Sequence, residues 1–302
     1  GELSSPEEKG ETRAAAPVGA NGTKTIPSAF GEVTIPANPE RIAVLYHDDI
    51  DHLVALGVKP VAVPTYERTG HIDGYLPYLA DQLKGVTKIG NTINLEALMS
   101  TKPDVIVART FHQEIKDSLN QIAPTVFFDW HIDWRVTHLE MGKAFGLEAK
   151  AQQNIDEYNA KLENAKKVLA EIVEKETVAF VRVTPKEILI HGVKDSVPGY
   201  LLYEQLGLTP SEGVPTDEWA KPISKEVFAG LKVDHIFLLV DEDKNAEALA
   251  KELTENALYK NIPAVKNGHV YPVPNHPWNR GGPIAFSEGI DQVFDALTKS
   301  NK

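Results

Sequence analysis

The chain has 302 residues, a formal net charge of −12 from 31 basic and 43 acidic side chains, 42 % hydrophobic residues, 25 % charged residues and no cysteine. These figures describe an ordinary globular chain, long enough for two domains of roughly 150 residues each. The acidic balance argues against a nucleic-acid partner, because phosphate binding runs on Lys and Arg. The missing thiols exclude disulfides, thiolate metal sites and cysteine nucleophiles, and no apolar run reaches the roughly 18 residues that a membrane span requires.

Residues 1–25 begin "GELSSPEEKGETRAAAPVGANGTK", which is Gly, Ala, Ser, Pro and charge without one aromatic side chain. Such a stretch cannot bury enough surface to fold and is expected to be a flexible tether. Composition leaves two readings open: the start of a mature secreted form whose processing segment has gone, or the frayed end of a cytosolic protein.

From Ile26 onward, short Val/Ile/Phe-rich runs alternate with helical stretches. "RIAVLY", "PVAV", "VIVA" and "TVFF" have the look of buried parallel strands, and "VAFVRV", "EILIHG", "HIFLLV" and "HVYPV" repeat it in the second half. Two α/β lobes are therefore expected, over residues 26–145 and 177–302. Between them, 146–176 carries Ala151, Ile155, Tyr158, Leu162, Ala165, Leu169 and Ile172 at alternating spacings of four and three. That is a narrow apolar stripe on a charged helix about 28 residues and roughly 40 Å long. A coiled-coil seam would use the same stripe, but three heptads are marginal, so a strut within a monomer is expected.

The halves also repeat in detail. "NLEALMSTKPDVIV" from Asn94 and "SKEVFAGLKVDHIF" from Ser224 align without a gap and share Glu, Lys, Asp and Ile. Packing explains Leu98 over Phe228; it does not explain Glu96 over Glu226. Two such lobes on a helix suggest a ligand held between them.

"PERIAVLYHDDIDHLVALGVKPVAV", "GNTINLEALMSTKPDVIVA", "LNQIAPTVFFD", "ISKEVFAGLKVDHIFLLV" and "NIPAVKNGHVYPV" occur in this order. Together they resemble the successive signatures of the helical-backbone substrate-binding proteins of ABC importers for ferric siderophores, haem and cobalamin. The resemblance spans roughly residues 26–298. It implies two Rossmann-like lobes joined by a backbone helix, and no enzymatic activity. It also implies an extracellular, lipid-anchored location of the Gram-positive type, with the tail resembling the stretch after a lipid-carrying cysteine that this sequence lacks. The implied partners are a membrane permease and its ATPase, with Glu96 and Glu226 meeting permease arginines. Two solvated helix-face carboxylates would look the same.

Ligands of open α/β sheets bind beyond the carboxyl ends of the strands. Of seven arginines, Arg68, Arg109, Arg182 and Arg280 follow or close strands. Guanidinium forks match carboxylate or catecholate oxygens and stay charged, so an anionic Fe(III)-siderophore of citrate-hydroxamate, hydroxycarboxylate or catecholate type is expected as the ligand. No cofactor is expected. Tyr46, His47, Trp130, His131, Trp219 and Trp278 lie in the same loops, where rings either wall a ligand or plug a core. The Gly- and Pro-bearing helix starts in "DSVPGYLLYEQLG" and "NRGGPIAFSEGIDQVFDAL" either offer free amides to an anion or are ordinarily capped.

The cluster "HDDIDH" invites a metal reading, but its histidines are not spaced i, i+4, and Asp48 or Asp49 more simply caps the following helix. No nucleophile elbow, phosphate loop or dinucleotide fingerprint occurs. Haem or cobalamin is the alternative ligand, with Tyr46, His47, His131 or His191 as axial candidates. Four arginines exceed what two propionates need.

Overall fold

The computed structural model describes residues 22–66 and 74–300, which divide into two α/β units. The first takes the described residues up to Asp156 together with Gly282–Ile284; the second takes Glu157–Gly281 and Ala285 onward.

In the first unit, β1 (Thr23–Ile26) and β2 (Val33–Pro36) form an antiparallel hairpin. There follow β3 (Ile42–Val44), α1 (His47–Ala55), β4 (Ala62–Val63), β5 (Thr87–Lys88), α2 (Leu95–Ser100), β6 (Val105–Arg109), α3 (Lys116–Ile122), β7 (Thr125–Phe128) and α4 (Trp134–Ala144). The five strands from β3 to β7 make a parallel sheet in the order β5-β4-β3-β6-β7. Its inner strands β3 and β6 are apolar because both faces are covered, while the edge strand β5 is exposed. Val105 and Val107 enter one apolar cluster with Ile50, Leu53 and Met141, while Ile106 and Ala108 enter another with Leu98 and Leu119. The two-residue period of a strand makes that division.

The expected long helix is α5 (Glu148–Val173), 26 residues, or about 39 Å at 1.5 Å per residue. Ala151, Ile155, Tyr158, Leu162, Ala165 and Leu169 are all buried, so the stripe is used within the chain. At its end Val173 takes the buried place and Ile172 is only half-buried.

The second unit contains β8 (Thr177–Val183), β9 (Ile188–His191), α6 (Val197–Gly199) running into a π-helical stretch at Tyr200–Gln205, β10 (Thr209–Pro210), β11 (Ala220–Ile223), α7 (Lys225–Ala229) and β12 (His235–Val240). It continues with α8 (Lys244–Glu255), α9 (Pro263–Lys266), β13 (Val270–Pro272), α10 (Asn275–Trp278) and α11 (Pro283–Ser300). The sheet order is β11-β9-β8-β12-β13, with β10 beside β8. The all-parallel reading of this half is corrected. β8, β12 and β13 are parallel, but β9 runs antiparallel to β8 and β11 antiparallel to β9. The cause is local: Thr184 donates its amide to the Glu187 carbonyl at 2.9 Å and accepts the Glu187 amide on Oγ1 at 3.0 Å. Strands joined by so tight a turn must reverse.

The sequence repeat is also a structural repeat. Asn94 Oδ1 accepts the Ala97 amide at 3.0 Å and caps α2; Ser224 Oγ accepts the Val227 amide at 3.1 Å and caps α7. Asp104 accepts the amides of Glu40 and Arg41 at 2.9 and 3.1 Å, and Asp234 accepts that of Thr177 at 2.8 Å. Each aspartate thus fastens the entry of a central strand, β3 or β8. The matched Asp and the capping residues are architectural. Glu96 and Glu226 are exposed on the first turns of α2 and α7 and have no such task.

Candidate ligand-binding site

In the first unit the sheet grows one way from β3 to β4 and the other way from β3 to β6, so the carboxyl ends of β3 and β6 flank the switch point where ligands bind. β3 leads into Tyr46 and His47, and β6 into Thr110 and Phe111. Phe111 is 57 % exposed and stands edge-on to Tyr46 at 5.1 Å, whose ring lies 5.2 Å below the Arg109 guanidinium. His47 Nε2 is 3.0 Å from the Thr65 carbonyl; a carbonyl only accepts, so this nitrogen carries the proton. Phe111 was legible as an aromatic residue just past a strand end, but its sequence neighbourhood drew attention only to Arg109.

Arg109 itself is corrected. Its side chain is 2 % exposed and donates Nη2 to Asp49 Oδ1 at 2.6 Å, Nε to Asp49 Oδ2 at 3.0 Å and Nη1 to the Asp129 carbonyl at 3.0 Å. The fork that was expected to meet ligand is spent inside the unit. Burial pushes the Asp49 carboxyl up against the opposing pull of Arg109. Burial also works against the guanidinium charge, and the Asp49 carboxylate overrides it. Nor does Asp48 or Asp49 cap α1, whose N-cap position is Tyr46, with no side-chain capping bond to the helix amides.

Asp51 accepts the Tyr78 hydroxyl and the Ile284 amide, both at 2.8 Å. Gly282 allows this approach: a Cβ there would lie 2.3 Å from Asp51 Cγ. The amide at the start of α11 is therefore taken, and Ser196 Oγ likewise takes the Gly199 amide at the start of α6, at 3.1 Å. Both helix starts are capped by side chains.

A recess of about 480 Å³ opens at the carboxyl ends of β4 and β5, lined by Thr65, Lys88, Ile89, Gly90, Asn91, Thr92 and Asn94. Thr65 Oγ1 is buried there without a hydrogen-bond partner, and Lys88 is exposed beside it. Lys88 ends a strand of only two residues, Thr87–Lys88, too short to stand out in the sequence as an apolar run. Arg68 lies outside the described residues.

In the second unit, Arg182 closes β8 and is paired to Asp241, just past β12, at 2.9 Å. Arg280 follows α10; it is half-buried, and its Nε is buried with no hydrogen-bond partner. The cleft position expected for Trp278 is corrected. The ring is 2 % exposed, stacked between Phe180 at 5.6 Å and Phe237 at 5.4 Å, with Nε1 donating to Gln292 Oε1 at 2.6 Å. It fills the core. Trp219, by contrast, is 52 % exposed and meets buried His191 edge-on at 5.4 Å. Burial first, and Arg182 second, push His191 down to about 4. Trp130 is half-buried and His131 exposed. Among the described residues no three His, Asp or Glu side chains are grouped to hold a metal ion.

The sequence pattern of the family described as "Periplasmic binding protein" matches residues 42–277. The chain belongs to the periplasmic binding protein family. Members of this family bind and carry a solute and are not enzymes. Among similar members, the probable siderophore-binding lipoprotein YfiY of Bacillus subtilis is 34 % identical over 88 % of this chain and 85 % of its own. The iron(3+)-hydroxamate-binding protein YxeB of the same organism is 28 % identical over 91 % and 85 %. The crystal structure of Staphylococcus aureus SirA complexed with staphyloferrin B superposes with a TM-score of 0.76 at 27 % identity, covering 91 % of this chain and 99 % of that one. The two-lobed α/β fold with its long helix is shared. No helix among the described residues is long and apolar enough to cross a membrane.

Proposed function

We propose that this periplasmic binding protein is the substrate-binding component of an ABC importer and carries an anionic Fe(III)-siderophore to its permease. The observation that carries the ligand class is Arg280, a half-buried cation whose buried Nε has no partner. A desolvated donor on a permanent charge calls for an anionic acceptor. Arg182 and Lys88 add positive charge at strand carboxyl ends of the second and first units, and Tyr46, Phe111 and Trp219 supply aromatic surface for the apolar parts of a chelator. Iron is held by the oxygens of a chelator of citrate-hydroxamate, hydroxycarboxylate or catecholate type, and the protein meets the outside of the complex. The relatives named for siderophores and ferric hydroxamates support this class over haem. Haem also fits less well because His191 is buried and His47 Nε2 is engaged with Thr65. Lipid anchoring at the outer face of the membrane belongs to the same reading, in keeping with the lipoprotein relative.

Tryptophan quenching by ferric citrate, citrate-hydroxamate, catecholate and trihydroxamate complexes tests it. The anionic complexes should bind more tightly than neutral trihydroxamates and far more tightly than chelator-free Fe(III). A Soret band on loading, or a preference for the neutral complexes, would reverse the assignment.

A further inference from the structure

Two buried histidines and a half-buried asparagine of the first unit form a hydrogen-bonded chain. Asn154 on α5 places Nδ2 2.9 Å from the Ala55 carbonyl at the end of α1 and 2.9 Å from His138 Nε2 on α4. His138 Nδ1 lies 2.9 Å from His52 Nδ1 on α1. Both rings are fully enclosed, at 1 % and 0 % exposure for His52 and His138.

The donors follow from valence. The contact with the Ala55 carbonyl fixes the Asn154 amide nitrogen as a donor, so His138 Nε2 accepts. The His138 proton then sits on Nδ1 and is donated to His52 Nδ1, which leaves the His52 proton on Nε2. The two rings are neutral and of opposite tautomer. A further proton finds no lone pair: on His138 Nε2 it would face an Asn154 N–H, and on His52 Nδ1 it would face the His138 N–H.

Burial first, then His138 and Arg109 on β6, disfavour a proton on His52. On α1, Asp49 is paired to Arg109, Asp51 is engaged by Tyr78 and Ile284, and Asp48 is buried. Burial alone pushes His138 down to about 4.

We propose that Asn154, His138 and His52 form a proton-operated clasp that ties α1, α4 and the start of α5 together while both imidazoles are neutral and opens when acid adds a proton. Because α1 begins with His47 and Asp49, opening also loosens the ligand side of this unit. That consequence rests on the siderophore reading; the clasp does not.

Hydrogen exchange of the full chain, followed by mass spectrometry from about pH 7.5 to 5 and corrected for intrinsic rates, reads the clasp without any siderophore. Opening of α1 and α4 should rise, with each pH unit below roughly 6.5, about tenfold for each ring that takes up a proton and up to about a hundredfold when both do. Asn154→Asp presents an acceptor to a protonated His138 and should take that ring's share out of the slope, leaving only the share of His52. Protection that is flat with pH in the wild type, or an unchanged slope in Asn154→Asp, overturns the proposal. Should the variant not fold, the imidazole nitrogen NMR of the wild type at neutral pH decides: two neutral rings of opposite tautomer support the clasp, and equal tautomers or a charged ring refute it.

Discussion

Arg182 presents Nε to Asp241 Oδ1 at 2.9 Å and Nη2 to Oδ2 at 3.2 Å, a two-point pair across the carboxyl ends of β8 and β12. Both side chains keep contact with solvent, at 32 % and 23 % exposure. Asp241 thus sets the plane of the guanidinium through Nε and Nη2. Truncating a desolvated, charge-assisted contact commonly costs about 2–5 kcal/mol. Arg182→Ala should weaken ferric-siderophore binding by at least about tenfold, and Arg182→Lys should fall between it and the wild type because the fork is lost while the charge is kept. Quenching titrations check this; equal affinities in all three proteins would remove Arg182 from the site.

Arg109 and Asp49 make the contrasting pair, with both partners buried. Removing one partner leaves an uncompensated buried charge, a loss of about 3–5 kcal/mol. Arg109→Ala should therefore lower the urea midpoint strongly. Pairing Arg109→Met with Asp49→Leu should recover much of the loss, because similar apolar volume replaces both charges. A single substitution without effect on stability would contradict the buried-pair assignment.

Glu96 and Glu226 are exposed at matched places on α2 and α7. If they meet permease arginines, replacing both with Gln should leave ligand affinity and stability nearly unchanged, since exposed carboxylates contribute little to folding. Uptake through the cognate permease should fall sharply. Normal uptake by the double variant would end the docking role, and lost ligand binding would place the glutamates in the ligand site.

His191 gives a pH prediction. Its folded value of about 4 lies below the unfolded value of about 6.5, so the unfolded chain binds more protons between these limits. The neutral ring's contribution is complete above roughly pH 6.5 and is lost as pH falls towards 4, at up to about 1.4 kcal/mol per unit. His191→Phe removes the titration and should gain about 2 kcal/mol relative to the wild type on going from pH 7 to 5. Urea unfolding at both pH values measures it; identical pH slopes would show that His191 is not buried neutral.

Local pattern by itself determined the two α/β lobes, the long helix and the matched glutamates. Strand runs, the four-three stripe and the repeated cap-Glu-apolar sequence all depend on neighbours within a few residues along the chain. The ordinal placement of Arg109, Arg182 and Arg280 after strands was also legible. What each arginine does was not. Arg109 and Arg182 both close Val/Ile-rich strands, yet one is sealed onto Asp49, 60 residues away, and the other shares Asp241, 59 residues away, with solvent. Position at a strand end tells where a side chain emerges; the carboxylate that folds across from it, and the burial of the pair, decide whether its charge reaches a ligand. Trp278 became core because Phe180 and Phe237 stand side by side on paired strands. The recess at Thr65 and Lys88 and the clasp of His52, His138 and Asn154 join segments far apart in sequence, and only the packed sheet and helices bring their donors and acceptors within bonding distance.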